Sequence, residues 1–148
     1  MFRDTLTGVY NRKYYDKYIN NIYGNKNVAV ISFDNLADIN NTDGYEKGDD
    51  MLRMIAKTVS ANVRKNDLII RYNGNTFVLI VDDIDTETLK NKLNFIKEKT
   101  ESFRINSCQH IKISAVISNV SGTGMNIKEH IADIIENIKS YNGSVTIV

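Results

Sequence analysis

The sequence predicts an α/β sandwich in one domain, residues 1–148, with helices packed on a largely antiparallel or mixed central sheet. Three observations carry this. Apolar residues at helical spacing alternate along the chain with short β-branched runs. One Asn-Gly pair, Asn73-Gly74, lies between two of those runs and reads as a hairpin. The chain has no proline and eight glycines, so no linker marks a second domain, and 148 residues suffice for a single core.

The elements follow in order. Tyr14, Tyr15, Tyr18, Ile19 and Ile22 recur at helical spacing, with Gly24 as a stop. Val28 to Phe33 reads as a buried strand. Met51, Leu52, Ile55, Ala56, Val59 and Val63 mark one face of a helix from about Glu46 to Arg64. Leu68–Tyr72 and Asn75–Val81 flank the Asn-Gly pair, whose two central residues are expected at positive φ. Leu89, Leu93 and Ile96 give a further helix, and Ile111 to Ile117 a further strand. Ile127, Ile131, Ile134, Ile135 and Ile138 form a last amphipathic helix before a closing strand, Val145–Val148. About five strands are expected.

Composition narrows the function. Nineteen basic against eighteen acidic residues leave a formal charge of +1, which argues against a dedicated nucleic-acid surface. No apolar run approaches the roughly 18 residues that span a bilayer, so no membrane contact by the domain itself is expected, and a cytoplasmic place is. The lone Cys108 has no partner for an internal disulfide and reads as a buried or half-buried thiol. His110 and His130 read as strand-edge and helix residues and not as ligands. Tyr10, Tyr14, Tyr15 and Tyr18 read as a packing face with wet hydroxyls, and Asp82, Asp83 and Asp85 as a solvated loop and helix start.

Three segments resemble motifs of the GGDEF domain, the diguanylate cyclase family, in the right order and at the right spacing. Asp4-Thr-Leu-Thr-Gly-Val-Tyr-Asn-Arg12 is similar to D-x-L-T-G-L-x-N-R. The segment from Ile39 to Asp49 is similar to I-N-D-x-x-G-H-x-x-G-D, and that from Arg64 to Tyr72 to R-x-x-D-x-x-x-R-x. The resemblance covers nearly the whole chain. It implies the nucleotide-cyclase and polymerase-palm (ferredoxin-like) version of the α/β sandwich, and a piece of a longer signalling protein.

A fourth segment departs from the family. The signature G-G-D/E-E-F falls on Asn73-Gly74-Asn75-Thr76-Phe77, so its acidic pair is replaced by Asn75 and Thr76. The acid that holds Mg²⁺ at the end of the first strand falls on Ser32, with Asp34 two residues on. Phe-Lys ahead of I-N-D reads Leu36-Ala37, and a late phosphate-binding Lys and Arg fall on Ser140 and Ser144. A hard dication beside a triphosphate wants carboxylate charge, which neutral oxygens do not supply. The resemblance, with these losses, implies no catalytic residues, no cofactor and no cyclase activity, Mg²⁺ entering only with GTP if residual GTP binding persists.

Two binding sites are implied. Asn40 and Asp49 match the pair that reads guanine; alternatively Asn40 caps a turn and Asp49 sits in a helix's first turn. Arg64 and Asp67 match the R-x-x-D inhibitory-type site for cyclic di-GMP; alternatively they are a helix-terminal Arg and a turn Asp. The family's site also borrows an arginine from elsewhere; no arginine of this sequence matches it, and Lys90, Lys92 and Lys97 are guesses at its place. The expected function is a catalytically inactive regulatory module in cyclic di-GMP signalling. The alternatives are a protein-interaction, homodimerisation or signal-relay module attached to a sensory or effector domain, and a residual GTP binder or weak cyclase.

Overall fold

The computed structural model describes residues 1–104 and 109–148, so the reading of Cys108 lies outside the described residues. In chain order the elements are α1 (Arg12–Tyr18), β1 (Gly24–Phe33), α2 (Leu36–Asp43), α3 (Tyr45–Ala61), β2 (Leu68–Asn73), β3 (Thr76–Val81), α4 (Thr86–Glu101), β4 (Ile113–Gly122), α5 (Gly124–Asn137) and β5 (Val145–Ile147). Single 3-10 turns follow α1 and α5. The sheet runs β2-β3-β1-β4-β5, antiparallel throughout except for the parallel β4–β5 edge. This is the mixed sheet flanked by helices that the sequence predicts.

Alternation along the strands explains the two layers, because successive side chains point to opposite faces. On one face Ala29, Ile31, Phe33, Phe77 and Leu79 meet Met51, Leu52, Ile55 and Val59 of α3 and Leu89, Leu93 and Ile96 of α4. On the other, Val28, Val30, Val78, Ile80 and Val116 meet Tyr15, Ile19, Ile127 and Ile131. Local chemistry starts the helices. The Asn11 side chain accepts from the Tyr14 amide at 2.9 Å, and Asp85 from the Thr88 amide at 2.7 Å. Asp85 is thus the helix start expected of it. Gly124 lets α5 pack tightly on the 3-10 turn, since a methyl there would overlap the Ile19 carbonyl.

The structure corrects four local readings. Residues 36–43 form a helix the apolar pattern did not reveal, because only Ile39 within it is buried. Gly24 does not stop α1, which ends at Tyr18; it opens β1 opposite Gly122, at a φ of +95°. Tyr15 has no wet hydroxyl: the oxygen is buried without a hydrogen-bond partner among the described residues, and burial pushes its pKa well up. The hairpin forms where expected, but its central residues are Gly74 and Asn75, since Asn73 pairs with Thr76. None of Asn73, Gly74 and Asn75 has positive φ. The cause is a side chain: Asn73 Oδ1 accepts from the Asn75 amide at 3.1 Å, and a bulge between Arg71 and Asn73 shifts the register.

Candidate functional site

The hairpin tip and the end of β1 bring together the three positions where the family motif carries acids. Ser32 pairs with Thr76 of β3 on one side and Ser114 of β4 on the other, so three hydroxyl residues form one row across the sheet. All three are buried. Asn75 closes over the strand end: its carbonyl accepts from the Phe33 amide at 2.8 Å, and its Nδ2 donates to the Phe33 carbonyl at 3.3 Å. Its Oδ1 accepts from the Thr76 hydroxyl at 3.4 Å. Phe77 faces the other way and is fully buried in the core.

Asp34 is the carboxylate beside this row. Ser114 Oγ donates to it at 2.5 Å and accepts from the Gly143 amide at 2.7 Å, which ties the strand end to the segment before β5. The other phosphate-side positions are similarly occupied. Ser140 donates to the Asn137 carbonyl, and Ser144 to the Tyr141 carbonyl, each at 2.7 Å. Ala37 is exposed in the first turn of α2. These donors do not fit Mg²⁺: one carboxylate with an oxygen already bonded, plus neutral hydroxyls, falls short of what a hard dication takes from protein. Among the described residues no three His, Cys, Asp or Glu side chains cluster as metal ligands.

The hairpin is held from behind by the N-terminal segment. Tyr10 pairs with the free edge of β2, its amide donating to the Ile69 carbonyl and its carbonyl accepting from the Arg71 amide. Arg71 then spans two elements, pairing with Asp4 at 3.1 Å and donating to the Gly74 carbonyl at 3.0 Å. Asp4 also accepts from the amide and hydroxyl of Thr7, at 2.9 and 2.7 Å. Burial alone would raise the Asp4 pKa, yet the Thr7 hydrogen bonds and the Arg71 pair outweigh it and hold the carboxyl below its usual value. Asp4, Thr7 and Arg71 all lie in the segments that resemble the family, and the structure gives them this bracing role. The signal was present, since Asp-x-x-Thr is a local turn pattern that fixes the carboxylate, to both of whose oxygens Arg71 then donates, at 3.1 and 3.3 Å.

The proposed guanine readers lie on two adjoining helices. Asn40 is inside α2, not a turn cap, and Asp49 lies beyond the first residues of α3 and is half-buried. Gly48 brings the helices together: a methyl there would overlap Asn40 Oδ1. That Oδ1 is buried without a donor among the described residues.

At the α3–β2 turn, Asp67 Oδ2 accepts from the Arg64 amide at 2.8 Å, and the Arg64 Nε lies 3.8 Å from the same oxygen. The Asp67 side chain is 8% exposed and that of Arg64 54%, so the carboxylate braces the turn while the guanidinium reaches outward to the Asp82 carbonyl. Asp82 lies exposed in the loop after β3, as expected, and pairs there with Lys26 at 2.8 Å. Of the three lysines considered, Lys92 comes closest to this turn in its contacts, donating to the Asn62 carbonyl at 3.2 Å; Lys97 turns to Glu101. A cleft of about 320 Å³ opens beside Arg64 and Asp67, with Arg3 and Tyr10 of the N-terminal segment on its opposite wall.

Fold and site together define a palm-type α/β domain of the nucleotide-cyclase kind. The family model "Diguanylate cyclase, GGDEF domain" matches residues 1–141, and the chain belongs to that family. The probable diguanylate cyclase DgcT of Escherichia coli is 26% identical over 143 residues, which cover 88% of this chain and 32% of that protein. The response regulator PleD of Caulobacter vibrioides is 34% identical over 87 residues, 54% of this chain and 19% of that protein. The chain thus spans about a third or less of these curated relatives. Among solved structures, the GGDEF domain of DgcB from Caulobacter crescentus in complex with c-di-GMP superposes with a TM-score of 0.83, at 19% identity, over 99% of this chain and 95% of that one. No helix among the described residues is long and apolar enough to cross a membrane.

Proposed function

We propose that this domain is a regulatory module of cyclic di-GMP signalling that does not condense GTP, and that it takes cyclic di-GMP at the Arg64–Asp67 cleft. One observation carries the first half: Ser32, Asn75 and Thr76, which stand where the family motif has acids, meet at one strand end and supply no carboxylate of their own, with Asn75 bonded to Phe33 and Thr76. Phosphoryl transfer is catalysed by positioning and by stabilising charge on the transferring group, and the one carboxylate beside this row, Asp34, already accepts from Ser114. Support for the second half is the half-exposed Arg64 side chain, which lines an open cleft with Asp67, and the GGDEF domain of DgcB, of the same fold, solved with c-di-GMP.

The test is product formation. The domain incubated with Mg·GTP or Mn·GTP yields no cyclic di-GMP by chromatography, and Asn75→Asp with Thr76→Glu does not rescue it, because Ser32, Ala37, Ser140 and Ser144 remain. Turnover by the parent that a folded Ser32→Ala control lacks overturns the reading.

A second reading has its own observation. The Asn40 Oδ1 is buried without a donor, and turning the half-buried side chain outward to a base N–H would satisfy it, which favours retained guanine binding without catalysis. Calorimetry with GTP separates the two, since only this reading gives heat that Asn40→Ala removes.

A further inference from the structure

Asparagine followed by glycine occurs twice in the chain, at Asn73-Gly74 and at Asn142-Gly143. Such a pair has a chemistry of its own. The glycine amide nitrogen, which no side chain shields, can attack the carboxamide carbon of the preceding residue and close a succinimide ring. Both asparagines and both glycines are exposed, so exposure does not distinguish the two sites. Their hydrogen bonds do.

At the hairpin tip the two reacting groups are set for that attack. Asn73 Oδ1 accepts from the Asn75 amide at 3.1 Å. A donor on that oxygen polarises the carboxamide carbon and stabilises the negative charge that the oxygen carries once nitrogen adds, as an oxyanion hole does. The attacking nitrogen is unencumbered: Gly74 lies outside both strands, and its amide has no acceptor among the described residues. At Asn142 both features are reversed. The Gly143 amide donates to Ser114 Oγ at 2.7 Å, a bond that attack would have to break. The Asn142 Oδ1 receives no donor among the described residues.

We propose that Asn73 is a site of spontaneous deamidation, converted well ahead of Asn142. A solvent base takes the Gly74 amide proton, the nitrogen bonds to the Asn73 Cγ, and the Cγ–Nδ2 bond breaks to release ammonia. Water then opens the succinimide at either carbonyl, leaving aspartate or isoaspartate at position 73. One water is taken up for one ammonia lost, and nothing is oxidised or reduced. The place of the change gives it a consequence. Arg71 holds the tip through the Gly74 carbonyl at 3.0 Å and carries the link on to Asp4. Isoaspartate lengthens the main chain by one methylene inside that turn, so it draws the Gly74 carbonyl from Arg71 and loosens the N-terminal segment from the hairpin. None of this depends on the nucleotide readings above.

The experiment ages the parent and Gly74→Ala at mildly alkaline pH, folded and in guanidinium chloride, and follows both sites by peptide mass spectrometry with an isoaspartate assay. In the folded parent Asn73 is converted at least about fivefold faster than Asn142, the factor expected where one site must first break a hydrogen bond. In denaturant, where neither site keeps its bonds, the two rates come together. Gly74→Ala keeps the turn, since Gly74 has no positive φ and nothing lies within 4 Å of an added methyl. That methyl crowds the attacking nitrogen, so conversion at Asn73 falls about tenfold. Hydrogen exchange on aged protein reads the consequence: the Arg71 amide, which donates to the Tyr10 carbonyl, exchanges faster in aged parent than in aged Gly74→Ala. Folded parent that converts Asn142 as fast as Asn73 overturns the assignment, and so does a denatured chain that keeps the folded preference. Conversion at Asn73 with unchanged exchange at Arg71 overturns the loosening.

Discussion

The two ends of the β1–β3 region carry family positions of very different character. At the hairpin end the signature side chains are neutral and bonded within the fold, Asn75 with Phe33 and Thr76, while Ser114 in the same row bonds the Asp34 carboxylate and the Gly143 amide. At the Arg64 end a guanidinium stands half in solvent beside an open cleft, donating to the Asp82 carbonyl, above a carboxylate that is nearly covered. A polar group bonded within the fold contributes to holding that fold, whereas an exposed, oriented charge remains available for a ligand. On the reading proposed above, the family motif serves architecture at the first end and recognition at the second.

If the signature has become architecture, its residues should matter to stability in proportion to burial. Phe77→Ala gives the largest effect, a loss of about 3–5 kcal/mol in urea unfolding, because a fully buried aromatic is removed from the core between the sheet and α3. Asn73→Ala, which removes only the side-chain bond that shapes the turn, costs about 1 kcal/mol or less. Equal losses from the two would break the architectural account.

The Asp4–Arg71 clip sharpens the comparison, because it couples the N-terminal segment to the hairpin. Both side chains are less than a fifth exposed, and Arg71→Ala should cost about 1–3 kcal/mol. The pH dependence has a definite sign. Asp4 titrates lower in the folded state than its usual value of 3.8, so the folded protein binds fewer protons there than the unfolded chain. Its contribution is complete above that value and is lost as pH falls through the lower folded one. An acid unfolding series that is flatter for Asp4→Asn than for the parent checks it.

Gly48→Ala tests whether the two binding regions are independent. The added methyl displaces Asn40, so any GTP affinity falls by about tenfold while cyclic di-GMP affinity is unchanged, read by calorimetry. The smallest effect belongs to Tyr15→Phe. Its hydroxyl is buried without a partner, and deleting it leaves stability unchanged or raises it by about 1 kcal/mol, a few degrees in Tm.

What the sequence disclosed follows from where its signals are strong. The five strands and the long helices were legible because their apolar residues keep a clear period, as in Met51, Leu52, Ile55 and Val59. Helix α2 was not, since eight residues with one buried side chain carry almost no period. The turn was placed one residue early because Asn-Gly usually forms a turn with both residues at positive φ, and here the Asn73 side chain imposes a different one. In the candidate site, the loss of acids at Ser32, Asn75 and Thr76 could be read directly. The contacts of Arg71 with Asp4 and the shared cleft of Arg3 and Arg64 join residues about sixty apart or more, and no local pattern encodes them.

The central claim is that ligand recognition resides at the Arg64 end and not at the hairpin end. Cyclic di-GMP titrated into Arg64→Ala and Asn40→Ala tests it side by side. The account predicts binding at least about tenfold weaker for Arg64→Ala and parent-like for Asn40→Ala; an Arg64→Ala domain that binds as tightly as the parent would contradict it.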